Sequence, residues 1–125
     1  MKKLLILLFA ILISFNSYGE TICVDTDTIE DDVIIYLPNE NKPFTGKHLC
    51  KYGNGQVREE ATFKDGKLDG KWTWWYENGQ KKSEIYYKDG KYDGKVTLWY
   101  ENGQIFLEAT FKDGECISGD CDYFK

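Results

Sequence analysis

From Gly46 to Gly114 the chain runs in short segments rich in aromatic and β-branched residues, with polar residues at many alternate positions. Trp72-Thr73-Trp74-Trp75-Tyr76 and Ser83-Glu84-Ile85-Tyr86-Tyr87 are examples. Such segments between turn signals predict β-strands. The breaks between them are Asn54-Gly55, Asn78-Gly79 and Asn102-Gly103, and then Asp65-Gly66, Asp89-Gly90 and Asp113-Gly114. Both dipeptides favour type I′ hairpin turns, in which the two central residues have positive φ. The pattern repeats every 24 residues, and Gly46, Gly70 and Gly94 each begin a unit with Gly-Lys. A fixed period of this length marks a repeat array. No stretch after Glu20 shows a helical period. The expected fold is all-β: an antiparallel meander of stacked β-hairpins forming one elongated sheet with capped ends.

The turns set a register. With Asn78-Gly79 as a two-residue loop, Trp74 faces Ser83 and Trp72 faces Ile85. In the third unit Leu98 faces Leu107 and Val96 faces Ala109. In the first, Cys50 faces Glu59 and His48 faces Ala61. Across the Asp-Gly turns Phe63 faces Leu68, Tyr87 faces Tyr92 and Phe111 faces Cys116. One face therefore collects most of the large apolar side chains, as a half-buried antiparallel sheet requires. His48 and Glu59 interrupt it, which predicts a looser first unit. The outer face is expected to carry Lys51, Thr73, Trp75, Thr97 and Trp99, then Arg58, Lys82 and Phe106. Columns of Glu60, Glu84 and Glu108, of Thr62, Tyr86 and Thr110, and of Lys64, Lys88 and Lys112 complete it. The charged columns read as a solvated face. Trp75, Trp99, Tyr86 and Phe106 form a candidate partner-binding patch, because grouped exposed aromatics mark binding surfaces.

The ends differ from the repeat. Met1-Lys2-Lys3, the apolar run Leu4 to Ile13 and Ser17-Tyr18-Gly19 have the layout of a signal peptide over residues 1–19, cleaved near Gly19/Glu20. The run is too short for a spanning helix, and Glu20-Thr21-Ile22 before Cys23 does not fit a lipidation site. The chain is thus expected to be exported, either periplasmic or secreted. Residues 20–43 read as an N-terminal cap with a strand at Val33 to Leu37. Residues 44–117 read as three repeats and 118–125 as a C-terminal cap. Repeat arrays need atypical ends to cover exposed sheet edges.

The formal charge is −5, and −7 once Lys2 and Lys3 are gone. An acidic balance argues against nucleic acid and anionic membrane and suits a basic protein partner. Cys23, Cys50, Cys116 and Cys121 lie beyond the cleavage point, and an even count in a small exported chain reads as two disulfides. Three pairings are possible. Cys23–Cys50 with Cys116–Cys121 is favoured because each bond then staples one end. A four-cysteine zinc site lacks paired C-x2-C spacing. No catalytic, metal or cofactor site is expected. His48 is the single histidine, Glu60, Glu84 and Glu108 are copies of one position, and the Asp-Gly pairs lack a calcium-loop pattern.

Lys42-Pro43-Phe44-Thr45-Gly46-Lys47 followed by Tyr52-Gly53-Asn54-Gly55-Gln56 resembles the bacterial MORN-variant repeat. So do Gly70-Lys71-Trp72 through Tyr76-Glu77-Asn78-Gly79-Gln80 and the Lys-Asp-Gly-Lys-x-Asp-Gly-Lys segments. The chain is similar, from about Lys42 to Gly114, to proteins grouped as YwqK-type antitoxin components. The resemblance implies stacked hairpins and, in function, an antitoxin or immunity protein that binds a toxin. An export signal and four cysteines set this chain apart from a cytoplasmic antitoxin. The expected function is a non-enzymatic protein-binding module. The alternative is an envelope scaffold recognising lipid, cell wall or carbohydrate.

Loop-closure entropy assigns about 3.5 kcal/mol to a Cys23–Cys50 bond and about 2 kcal/mol to Cys116–Cys121. Reduction is expected to lower the melting temperature by several degrees in a thermal scan. An unchanged midpoint would show that the cysteines are not stapling the ends.

Overall fold

The computed structural model describes residues 3–5, 20–23, 34–36 and 41–125. The expected cleavage point, most of the apolar run and the acidic stretch Asp25 to Asp32 lie outside the described residues. The main sheet contains β2 (Glu20–Ile22), β4 (Gly46–Lys51), β5 (Val57–Lys64), β6 (Lys67–Leu68), β7 (Gly70–Trp75), β8 (Lys81–Lys88), β9 (Lys91–Trp99), β10 (Ile105–Lys112) and β11 (Glu115–Gly119). Its order is β11-β10-β9-β8-β7-β5-β4-β2, with β6 hydrogen-bonded to β5. The sheet is open, and all pairings are antiparallel except β2 with β4. A 3-10 turn, Cys121–Phe124, follows β11. No helix among the described residues is long and apolar enough to cross a membrane.

The expected strand at Val33 to Leu37 is described as β3 (Ile34–Tyr36), outside the main sheet. It pairs in parallel with β1 (Lys3–Leu5). Its backbone meets the first unit directly, with Ile35 N–H donating to Gly66 O (3.0 Å) and Phe44 N–H donating to Ile35 O (2.7 Å). Gly66 needs its positive φ and its lack of a Cβ, which would overlap the Ile34 side chain. β2, rather than β3, covers the first edge of the sheet.

Both turn types fix the observed register, but they differ. Asp65-Gly66, Asp89-Gly90 and Asp113-Gly114 have positive φ at both residues, near 50° and 80°, as type I′ requires. The Asn-Gly turns depart from the expectation. Only Gly55, Gly79 and Gly103 have positive φ. Asn78 Oδ1 instead accepts the Gln80 N–H (2.9 Å), and Asn54 and Asn102 do the same, so the asparagine closes its own side-chain turn. The loop closes with Gly79 N–H to Tyr76 O and Tyr76 N–H to Gln80 O. It is one residue longer than a two-residue hairpin. A bulge between Trp74/Trp75 on one strand and Ser83/Lys81 on the other absorbs the extra residue. Beyond the bulge the pairs are Trp74 with Ser83 and Trp72 with Ile85, as the turn spacing predicts. All the other predicted pairs are present too.

The apolar face holds two clusters. The first joins Ile22, Ile35, Phe44, Ala61, Phe63 and Leu68, flanked by Trp72 and Tyr87. The second joins Val96, Leu107, Ala109 and Phe111, with Phe124 of the 3-10 turn packed on it. The disulfides are Cys23–Cys50 and Cys116–Cys121, one at each end. The expectation of a loose first unit is corrected. His48 and Glu59 are fully buried, and His48 Nε2 lies 2.9 Å from Glu59 Oε1. Arg58 approaches the same carboxylate at 3.6 Å. His48 and Glu59 pair with each other beside the Cys23–Cys50 disulfide, so the end is packed where alternation alone implied a defect.

Breaking such a pair leaves an uncompensated buried group, whereas an apolar replacement of both partners is close to neutral. The third unit carries Val96 and Leu107 at the positions equivalent to His48 and Glu59. Glu59→Ala is expected to cost about 3 kcal/mol in urea denaturation of the oxidised protein. The pair His48→Val with Glu59→Leu is expected to recover most of that loss.

Candidate functional site

The outer face is a grid set by the register. Glu60, Thr73, Glu84, Thr97 and Glu108 stand opposite one another on successive strands. Thr73 and Thr97 are buried between the glutamates. Beside this row Trp75 stands opposite Lys81 and Trp99 opposite Ile105. The Lys81 ammonium lies 5.8 Å from the Trp99 ring centre and 2.7 Å from Glu84 Oε2. On the other side Lys95 is ion-paired with Glu108. That hydrogen bond and the Glu108 charge, with a smaller contribution from Glu84, raise the Lys95 pKa above its ordinary value. The pair is exposed and screened, so it adds little stability. Tyr86 lies over Gly94, whose positive φ and missing side chain make room for the ring.

The predicted patch is therefore divided. Trp75, Trp99 and Tyr86 are on the outer face, with both tryptophans partly buried. Phe106 is not with them. It is the extra residue of the bulge between Ile105 and Leu107, and a bulge re-aims its side chain. The Phe106 ring lies 5.1 Å from Tyr100 and 6.1 Å from Tyr123. Lys82, the same position one unit earlier, is likewise turned from the expected outer face, its ammonium 4.6 Å from the Trp74 ring centre. In exchange Lys81 and Ile105 join the outer face.

Phe106 completes a corner that sequence reasoning missed. Tyr123, Tyr100 and Phe106 are 62%, 54% and 40% exposed and touch in a row. Phe106, Leu107, Tyr123, Asp120 and Asp122 line a shallow groove closed by the Cys116–Cys121 loop. Asp120 Oδ2 accepts the Glu108 N–H (2.9 Å) and Asp122 pairs with Lys125. From Tyr123 the rings continue inward through Phe124, Phe111, Tyr92, Tyr87 and Trp72 to Trp74. A sequence signal for Tyr100 did exist: Tyr52, Tyr76 and Tyr100 recur at the 24-residue spacing. The first two are committed. Tyr52 donates to Trp75 O (2.5 Å) and Tyr76 to Trp99 O (2.8 Å), each reaching into the next unit. Tyr100 has no following unit to reach.

Comparison with protein families matches a MORN repeat variant three times, at residues 44–65, 68–89 and 92–113. Together these span just over half of the 125 residues. The chain belongs to the MORN repeat variant family. No curated protein and no solved structure matches it. MORN repeats are non-catalytic and generally act as binding modules. In this MORN array the single histidine is buried in the first unit against Glu59.

The forward-reaching tyrosines give a direct test of how the MORN units couple. Tyr76→Phe removes one partly buried hydrogen bond and is expected to cost about 1 kcal/mol in urea denaturation. Tyr100→Phe is expected to stay within about 0.5 kcal/mol of the parent. Equal effects would show that the hydroxyl contacts do not hold the units together.

Proposed function

We propose that this MORN protein is an exported, non-enzymatic protein-binding module whose recognition surface is the Tyr100–Phe106–Tyr123 corner. The observation that carries the reading is the contact row of three exposed aromatic rings beside Asp120 and Asp122. Aromatic side chains with a polar tip are favoured hot spots, because they bury much area at small entropic cost. Carboxylates at the rim and the net charge, −5 for the sequence and −7 without Lys2 and Lys3, favour a basic partner. Two disulfides suit an oxidising compartment. The finer form of this reading is an antitoxin or immunity role against a basic toxin met in the envelope. The chain's acidic charge and its resemblance to antitoxin components support it.

The test immobilises the oxidised protein, offers it an envelope extract and identifies what is retained by mass spectrometry. A stoichiometric partner lost on Tyr100→Ala with Tyr123→Ala, and kept on Trp75→Ala with Trp99→Ala, is expected. Loss only in the tryptophan pair would move the site to the outer face. Retention in both folded double variants would overturn both surfaces. Toxicity of the partner, relieved by this protein, is what the immunity reading requires.

A further inference from the structure

The first MORN unit departs from the other two at three positions on the apolar face, and the departures share one chemistry. His48 stands where the other units have Trp72 and Val96. Cys50 stands for Trp74 and Leu98, and Glu59 for Ser83 and Leu107. Imidazole, sulfur and carboxylate thus replace mainly apolar groups. The register brings them together, since Cys50 pairs with Glu59 and His48 is two residues from Cys50 on the same face of β4. One ligand atom from each lies within 4.8 Å of the others, and all three residues are buried. His48 Nε2 is 2.9 Å from Glu59 Oε1 and 3.8 Å from Cys50 Sγ. The fourth group is Cys23, bonded to Cys50 and carried at the end of β2. A disulfide staple needs only the two sulfurs, and here the His48–Glu59 pair stands beside it.

We propose that Cys23, His48, Cys50 and Glu59 form a tetrahedral zinc site that the Cys23–Cys50 disulfide and the metal ion occupy in alternation. Thiolates, imidazole and carboxylate are zinc ligands, and a closed set of four is the structural type. In such a site an imidazole nitrogen lies ~3.3 Å from a carboxylate oxygen and ~3.6 Å from a sulfur. The observed separations are within a few tenths of an ångström of both. The exchange balances. A small thiol reductant gives two electrons to the Cys23–Cys50 bond, which becomes two thiols while the reductant becomes a disulfide. Zinc(II) then replaces the two thiol protons, which pass to water, and binds both thiolates, His48 Nε2 and the Glu59 carboxylate. The sulfurs must part by ~1.7 Å, which the three-residue β2 can follow. Cys23 is exposed and the other three ligands are buried, so reductant and ion reach the site from the Cys23 side. Among the described residues, three anionic ligands, the dication and the Arg58 guanidinium, 3.6 Å from Glu59, sum to zero. The set differs from the four-cysteine arrangement, whose members are split between the two ends of the sheet.

The experiment uses the full chain with Cys116→Ser and Cys121→Ser, so that one thiol pair remains. Cobalt(II) is titrated as a spectroscopic stand-in for zinc, with circular dichroism followed in parallel. After reduction the expected result is one equivalent of cobalt with the intense visible bands of tetrahedral thiolate coordination, lost on adding zinc. The oxidised protein is expected to give none. His48→Ala and Glu59→Gln are each expected to weaken binding by about tenfold or more. Absence of the bands after reduction would overturn the proposal, whether the reduced chain stays folded or unfolds without metal rescue. Bands unchanged by the His48 and Glu59 substitutions would overturn it too, by showing ordinary dithiol binding.

Discussion

Positive φ at the Asp-Gly dipeptides is the constraint on which the rest of the sheet depends. Three tight turns with both central residues left-handed give each hairpin the twist that strands require and fix which residues meet. Once Phe63 meets Leu68 and Tyr87 meets Tyr92, the period of two assigns the faces outward from the turn, except where bulges interrupt it. The turns also join neighbouring units. Gly66 N–H donates to Phe44 O, Gly90 N–H to Leu68 O and Gly114 N–H to Tyr92 O, each near 2.8 Å. The residues that reverse the chain are therefore those that attach it to the unit before.

The two ends of the apolar face solve one problem with different chemistry. Among the described residues the apolar side of the main sheet is covered locally, at its two ends. At the C-terminal end Phe124 lies against Phe111 and Tyr92, held by the short disulfide loop. At the N-terminal end Ile22 and Ile35 cover Phe44 and Phe63, and a buried His–Glu contact sits under the second disulfide. Between the clusters Trp74, Ser83 and Leu98 remain only partly covered.

Much of the fold was legible because turn spacing and strand alternation are both local rules. The strand pairs and the division of faces followed from them. The asparagine turns were less legible, since Asn-Gly serves two geometries and the side chain chooses between them. Asn78 takes the Gln80 amide, the loop gains a residue, and a bulge returns it. These two departures cancel deep in the sheet, so the predicted pairs survived. They do not cancel at the bulge itself, which is why Phe106 faces Tyr100 rather than Trp99. The His48–Glu59 contact escaped for another reason. Alternation places both residues on the apolar face but is blind to whether two polar groups there satisfy each other. The aromatic corner depended on Tyr123, which lies beyond the repeat and has no copy to compare with.

The tyrosine contacts give the array a direction. Tyr52 holds the second unit and Tyr76 the third, each by a hydroxyl that travels forward and never back. A chain built this way can lengthen by duplicating a whole unit, because the new copy arrives with its own donor and with the carbonyl its predecessor needs. The stop comes from outside the repeat, from a disulfide loop and two aromatic residues that no unit encodes. Unit number is thus free to vary in evolution without redesign of the interior, while the terminator must be kept as one inherited piece.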